Sequence, residues 1–254
     1  MPSPAEAGRV RERVLGCPVD VVDLEGAVHI LVELVETHRR EPGTEPAVVV
    51  TLNPEMVMRA RRDAAFAAVL ESAALLVPDG VGVSRALRRR CHPGAGRVAG
   101  IDLLSEYLPH AARLGHRLAL AGGRPGVATQ AGRELVARHP GLQLVAADPG
   151  DPGPALARRL QEARPEMVWA AFGHGRQEAF LDRFLPAIGA AAGIGVGGAL
   201  DVFAGRVPRA PELVRDSGLE WAWRLGRQPW RVRRQAVLPA FWWLERREAA
   251  SIHC

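Results

Sequence analysis

The sequence predicts an α/β fold: a doubly wound, mostly parallel sheet followed by a helical arm of different composition. Three observations predict it. Short β-rich apolar runs alternate with helical stretches from residue 47 onward. Most of these runs end in a loop of Gly, Pro, Asn or Asp. The last thirty-five residues then change character and hold five of the six tryptophans. Regular alternation over this length is satisfied by parallel strands joined by right-handed crossovers. A chain of 254 residues is long enough to bury one large core.

The elements follow in order. The start, MPSPAEAGRVRERV, is polar and charged and lacks the apolar centre of a signal peptide. The strand runs are Ala47–Leu52, Leu75–Val77, Arg117–Ala121, Gln143–Ala146, Met167–Phe172 and Ile194–Val196. Helical stretches between them include Glu55–Glu71, Gly126–Arg138, Pro154–Ala163 and Gln177–Ile188. Within Gly126–Arg138, Val127, Ala131, Leu135 and Val136 fall at helical spacing. Pro54 is preset to open a helix, since its fixed φ suits the first turn.

Such sheets bind ligands beyond the carboxyl ends of their strands. There the sequence places Thr51-Leu52-Asn53-Pro54, Pro78-Asp79-Gly80, Gly122-Gly123-Arg124-Pro125-Gly126, Gly173-His174-Gly175-Arg176-Gln177-Glu178 and Gly197-Gly198-Ala199-Leu200-Asp201. Glycine-rich turns onto helix N-termini are natural diphosphate cradles, because free N–H groups and the helix dipole favour an anion. Five polar loops on one rim favour a nucleotide-type site. Gly193-Ile194-Gly195-Val196-Gly197-Gly198 also satisfies G-x-G-x-x-G, the dinucleotide fingerprint. That fingerprint needs a strand before it and a helix after it. Here the glycines surround the short strand itself.

Composition removes several chemistries. There is no lysine, so a Walker phosphate loop and Schiff-base catalysis are excluded. Net charge is +5, from 33 arginines, which favours polyanionic partners. Cys17, Cys91 and Cys254 form no CxxC, so neither a zinc site nor a redox pair is indicated. No D-x-D metal motif occurs, since Pro149 and Gly150 separate Asp148 from Asp151. No metal or cofactor is expected.

The arm carries Trp221, Trp223, Trp230, Trp242 and Trp243 among Arg224, Arg227, Arg231, Arg233, Arg234, Arg246 and Arg247. No acidic residue lies between Trp221 and Leu244. Indole prefers the water–lipid boundary, and arginine is attracted to the anionic phosphates there. The apolar run Ala236–Leu244 is far short of the roughly twenty residues needed to span a bilayer. The arm is therefore expected to lie on a membrane rather than cross it. The alternative is a basic helix that docks its aromatics on the chain's own core. The expected division is 1–217, an α/β core, and 218–254, a helical membrane-associating arm.

Taken together, the loops resemble the WecG/TagA/CpsF family of bacterial glycosyltransferases, from about Leu15 to about Arg234. The resemblance rests on the loops above together with Arg97-Val98-x-Gly100-x-Asp102, Arg209-Ala210-Pro211 and Gly218-Leu219-Glu220-Trp221. It implies a Rossmann-like glycosyltransferase that moves an N-acetylmannosamine-type sugar from UDP to a polyprenyl-diphosphate-linked N-acetylglucosamine. It places the work at the cytoplasmic face of the membrane, in cell-surface polysaccharide synthesis, and implies inversion at the anomeric carbon. Two departures stand out. Gly175 occupies the place of the family's usual proline, which should loosen that loop. Gly96 stands where the family often has Glu.

Transfer from a nucleotide diphosphate needs a base for the acceptor hydroxyl and positive charge for the leaving UDP. Asp79 is the candidate base, because partial desolvation beyond an apolar strand makes a carboxylate more basic. The resemblance points to the same residue; the plain alternative is a Pro-Asp-Gly turn or helix cap. Thr51 and Asn53 are expected to hold sugar or acceptor, or else to cap the helix at Pro54. Gln177 and Glu178 are expected to orient the sugar ring, or to be first-turn helix residues. The resemblance gives Asp201 a bond to the uracil N–H. Gly122, Gly123 and Gly198 are expected in the donor cradle, with Arg97 and Arg209 as diphosphate ligands through paired guanidinium bonds. Arg224, Arg231 and Arg234 are expected to fold over the site from the arm. His174 ranks below Asp79.

Two other classes stay open on sequence alone: a nucleotide-binding oxidoreductase or regulator, and a nucleic-acid-binding module. No nucleic-acid motif supports the second. A homo-oligomer is neither indicated nor excluded.

Overall fold

The computed structural model describes residues 9–217, 220–227 and 232–252. An antiparallel hairpin comes first: β1 (Arg11–Val14) and β2 (Cys17–Asp20). Then follow α1 (Leu24–Arg40), β3 (Ala47–Leu52), α2 (Pro54–Ala60), α3 (Ala64–Ser72), β4 (Leu75–Pro78), α4 (Val81–Arg88) and α5 (Gly100–Leu114). The chain continues through β5 (Arg117–Gly122), α6 (Val127–Arg138), β6 (Gln143–Asp148), α7 (Pro154–Ala163), β7 (Met167–Ala171), α8 (Arg176–Ile188) and β8 (Ala192–Gly195). Five shorter or later helices close it: α9 (Ala199–Phe203), α10 (Glu212–Asp216), α11 (Glu220–Arg227), α12 (Val232–Gln235) and α13 (Leu238–Ala249).

The six strands expected from the sequence form one parallel sheet in the order β4-β3-β8-β7-β5-β6. The central strands are buried along their length, which explains why they read as continuous apolar runs. Two apolar layers cover the sheet. One gathers Val48, Val50, Leu70, Leu76, Leu181 and Phe241. The other gathers Leu31, Val49, Leu104, Tyr107 and Leu120 around fully buried Trp169, the sixth tryptophan. The expected helix Glu55–Glu71 is instead two helices. Asp63 interrupts it, because its carboxylate accepts from the Phe66 N–H at 3.0 Å and caps α3.

The N-terminal hairpin closes the edge beside β4. Asp20 is fully buried, pairs with Arg9 and Arg11, and accepts from the Leu76 N–H at 2.7 Å. Arg9 and Arg11 also donate to the carbonyl of Ala74. An edge strand's open donors and acceptors are thereby occupied. The strand so fixed ends at Pro78, immediately before Asp79.

The last helix is fastened to this body. Phe241 is fully buried in the same apolar layer as Val57, Val83 and Leu87. Glu245, also fully buried, pairs with Arg89 and Arg90 of the α4 end, and Arg90 reaches Glu248 as well. Other aromatics of the arm face outward: Trp221 is 44% exposed and Trp243 57%. Among the described residues, no helix is long and apolar enough to cross a membrane.

Candidate active site

A cleft of about 380 Å³ opens beyond the carboxyl ends of β3, β4 and β8. Thr51, Asn53 and Pro54 come from the end of β3, Asp79 and Gly80 from β4, and Val196, Gly198 and Ala199 from β8. This is the crevice where the chain's course reverses: β3 and β4 run to one edge, and β5 begins on the other side. Helices α4 and α5 add Arg85, Gly100 and Ile101, and the arm adds Trp221, Arg234, Gln235, Leu238 and Trp242.

Asp79 stands half-buried in the wall. Its N–H donates to Leu52 O at 2.9 Å, and Pro78 O accepts from the Val98 N–H at 3.0 Å. The residue is thus pinned between β3 and the segment that carries Arg97. The helix-capping position of α4 belongs to Gly80, not Asp79. Asn53 does cap α2: its Oδ1 accepts from the Met56 N–H at 3.1 Å. Among the described residues its Nδ2 has no hydrogen-bond partner, so the cleft-lining amide keeps its donor capacity.

Two cations of the cleft, Arg97 and Arg234, are paired with carboxylates. Arg97 donates to Glu220 of the arm. Arg234 pairs with Glu55 at 2.9 Å and meets the His174 ring at Nδ1. Through Arg234 the arm touches both the helix after β3 and the loop after β7. Helix α5 presents its N-terminus to the same space, with no side-chain cap and Gly100 and Ile101 in the wall. Uncapped N–H groups of a long helix suit a phosphate.

Several expected residues lie outside the cleft lining. Gln177 and Glu178 are buried behind it. Gln177 Oε1 accepts from the Gly197 N–H at 3.1 Å, and its Nε2 donates to Glu178 at 2.7 Å. Glu178 accepts from the Gly175 N–H, closing the first turn of α8. Burial pushes the Glu178 carboxyl above the usual carboxylate range, despite these bonds. The pair holds the β7 and β8 loops together. Gly123 spends its N–H on Ala171 O at 2.9 Å, and a Cβ on Gly122 would strike the Phe172 ring at 2.4 Å. Asp201 pairs with Arg124 at 2.9 Å, and Arg209 with Asp102. The side chain of Arg224 and all of Arg231, Trp230, Gly218 and Leu219 lie outside the described residues.

The Gly175 loop is packed against Arg59. Gly175 has φ +88°, which proline cannot adopt. The space where a Cβ would project is filled by Arg59, whose Nη1 lies 1.7 Å from that position. Arg59 donates to His174 O at 3.1 Å, pairs with Asp63 and lies over the Phe66 ring. The G-x-G-x-x-G string gives a clear outcome. Gly193 and Gly195 lie within β8, and the helix that follows is only five residues long.

Sequence reasoning missed Glu55, Arg85, Glu220, Leu238 and Trp242 as cleft residues. For Leu238 and Trp242 the available signal was the apolar and basic content of the arm, which does not say what it packs against. Among the described residues, no group of three His, Cys, Asp or Glu side chains is arranged to hold a metal.

The model of the glycosyl transferase WecG/TagA/CpsF family matches residues 12–252. A Bacillus subtilis (strain 168) protein is 32% identical over 197 residues, covering 77% of each chain. It is named N-acetylglucosaminyldiphosphoundecaprenol N-acetyl-β-D-mannosaminyltransferase. A protein of the same name from Bacillus spizizenii (strain ATCC 23059 / NRRL B-14472 / W23) matches to the same extent. The family match reaches past Arg234 and includes α13.

Proposed function

The chain belongs to the WecG/TagA/CpsF family of glycosyltransferases, and from that premise we propose that it moves an N-acetylmannosamine-type sugar from UDP to a polyprenyl-diphosphate-linked N-acetylglucosamine. The observation that carries the reading is the position of Asp79, in a cleft lined both by arginines and by the arm's Leu238 and Trp242. That combination suits a substrate that is both anionic and lipid-linked.

In the reaction, Asp79 takes the proton of the acceptor hydroxyl as its oxygen attacks the anomeric carbon. The bond to the UDP oxygen breaks, and a single displacement inverts that centre. Thr51 and Asn53 hold the reacting sugars by hydrogen bonds. Arg97, Arg209, Arg224, Arg231 and Arg234 supply the positive charge that the departing diphosphate needs, without a metal. Arg97 and Arg234 exchange Glu220 and Glu55 for phosphate when substrate enters. Gln177 and Glu178 fix the loop that carries Gly198, and Gly122, Gly123 and Asp201 border the nucleotide.

Residues 1–217 form the catalytic body and 218–254 the membrane-associating arm, with α13 as its fixed root. Exposed Trp221 and Trp243 support a peripheral seat on the inner face of the cytoplasmic membrane. Closing the arm over the cleft keeps water from the UDP-sugar.

The test is incubation with UDP-N-acetylmannosamine and a lipid-diphosphate-linked N-acetylglucosamine, followed by mass spectrometry of the lipid. The lipid should gain one N-acetylhexosamine. An unchanged lipid, with the nucleotide sugar intact or merely hydrolysed, would overturn the reading.

A further inference from the structure

Arg97 and Arg234 each have a carboxylate partner, but Arg85 differs. It sits on α4, six residues after Asp79, and lines the cleft with Val81 one turn earlier. Among the described residues it pairs with no carboxylate; its guanidinium lies over the Trp242 ring, 5.9 Å from the centroid. Trp242 and Leu238 are one turn apart on α13 and line the same wall. The two helices approach closely there: a Cβ added to Gly82 would stand 3.1 Å from Phe241. One cation of the cleft therefore lies beside the apolar side chains Val81, Leu238 and Trp242, on the helix that follows Asp79. The glycine-rich loop of β8, with Gly198 and Ala199, lies across β3 from β4.

We propose that Arg85 binds the diphosphate of the lipid acceptor, with its isoprenoid chain leaving over Leu238 and Trp242. The inference rests on the reading above that the acceptor is a lipid diphosphate, and assigns it a place. A guanidinium partnered by an indole face rather than a carboxylate keeps its N–H groups for phosphate oxygens. An uncommitted cation also needs no partner exchange before it binds. The apolar side chains beside it select an anion carrying a hydrocarbon tail over a nucleotide, whose base is polar.

The test uses the full chain, with Arg85→Gln and Arg85→Lys. Binding of farnesyl diphosphate is measured by isothermal titration without donor, against inorganic diphosphate, farnesol and UDP. Wild type should bind farnesyl diphosphate more tightly than inorganic diphosphate or farnesol. Arg85→Gln should weaken it about 10- to 100-fold, the worth of a charged hydrogen bond. Arg85→Lys should recover part of the loss, and UDP affinity should stay within about twofold of wild type, well inside one charged bond. In turnover, the acceptor KM should rise while the donor KM and kcat hold. Failure of wild type to bind farnesyl diphosphate would overturn the inference. So would an Arg85→Gln variant that binds it normally, or that loses UDP equally. If sugar transfer proceeds while Arg85→Gln is silent, only the assignment of Arg85 fails. If the lipid diphosphate depends on Arg85 but no sugar is transferred, the proposed reaction fails and the binding site stands.

Discussion

Replacing Gly175 by alanine tests how the loop after β7 is held. The backbone there has φ +88° and ψ −46°, a region that L residues rarely enter. Holding a side chain in such a region costs roughly 2 kcal/mol. The new Cβ would also overlap Arg59, whose Nη1 lies 1.7 Å away, so the guanidinium must leave. It then loses its bond to His174 O. Arg59 is 39% exposed, so water replaces much of that bond, and about 1 kcal/mol is a discounted value. The sum is about 3 kcal/mol, a large part of a typical domain's 5–15 kcal/mol. Urea denaturation of Gly175→Ala should show it. In an Arg59→Ala background only the backbone strain remains, about 2 kcal/mol, leaving a coupling of about 1 kcal/mol. Gly175→Pro should be worse than alanine, because it also removes the N–H that Glu178 accepts from. A cost below about 0.5 kcal/mol for alanine, the range of a bland surface change, would refute this account of the loop. So would an equal cost in both backgrounds.

Three further outcomes are expected. Transfer should survive exhaustive EDTA treatment, because guanidinium balances the diphosphates; activity that vanishes and returns with Mg²⁺ or Mn²⁺ would contradict that. A chain ending at Ser217 should lose anionic-liposome binding and transfer, and should fold with lower stability, since burying Phe241 alone is worth about 3 kcal/mol; in the full chain, Arg224, Arg231 and Arg234 changed together to Gln should slow transfer even to a water-soluble acceptor, whereas slowing confined to the lipid acceptor would make the arm an anchor only. Burial lowers the pKa of His116, which is packed between Tyr107 and Glu36; its unfolded form takes up protons first, so stability should fall as pH drops below about 6.5, and an NMR titration of this ring at or above that value would contradict the assignment.

The sheet was legible because its strands are buried on both faces. Runs such as Val48-Val49-Val50 have no polar face to confuse with anything else. The N-terminal hairpin was not legible. Its strands are four residues long and rich in charge, and the charges are satisfied by contacts distant in sequence, such as Arg13 with Glu71. Thr51, Asn53, Asp79, Arg97, Gly198 and Arg234 could be singled out, the first three and Gly198 because strand ends of a parallel sheet share one rim. Arg85 could not, because its role in the wall depends on α13 crossing α4 more than 150 positions later in the chain, where Arg90 meets Glu245. Gln177 and Glu178 were legible as polar residues opening a helix, but not as buried ones. Their inward turn depends on Gly197 lying opposite.

The most direct measurement compares wild type with Asp79→Asn on the lipid acceptor, with UDP affinity measured on both. Asparagine keeps the size of the side chain in the cleft and removes the proton acceptor. Turnover should fall by about 10²- to 10⁴-fold, the usual weight of general-base catalysis, with UDP affinity little changed. Turnover near wild type in the Asp79→Asn enzyme would contradict the account and remove Asp79 from the chemistry.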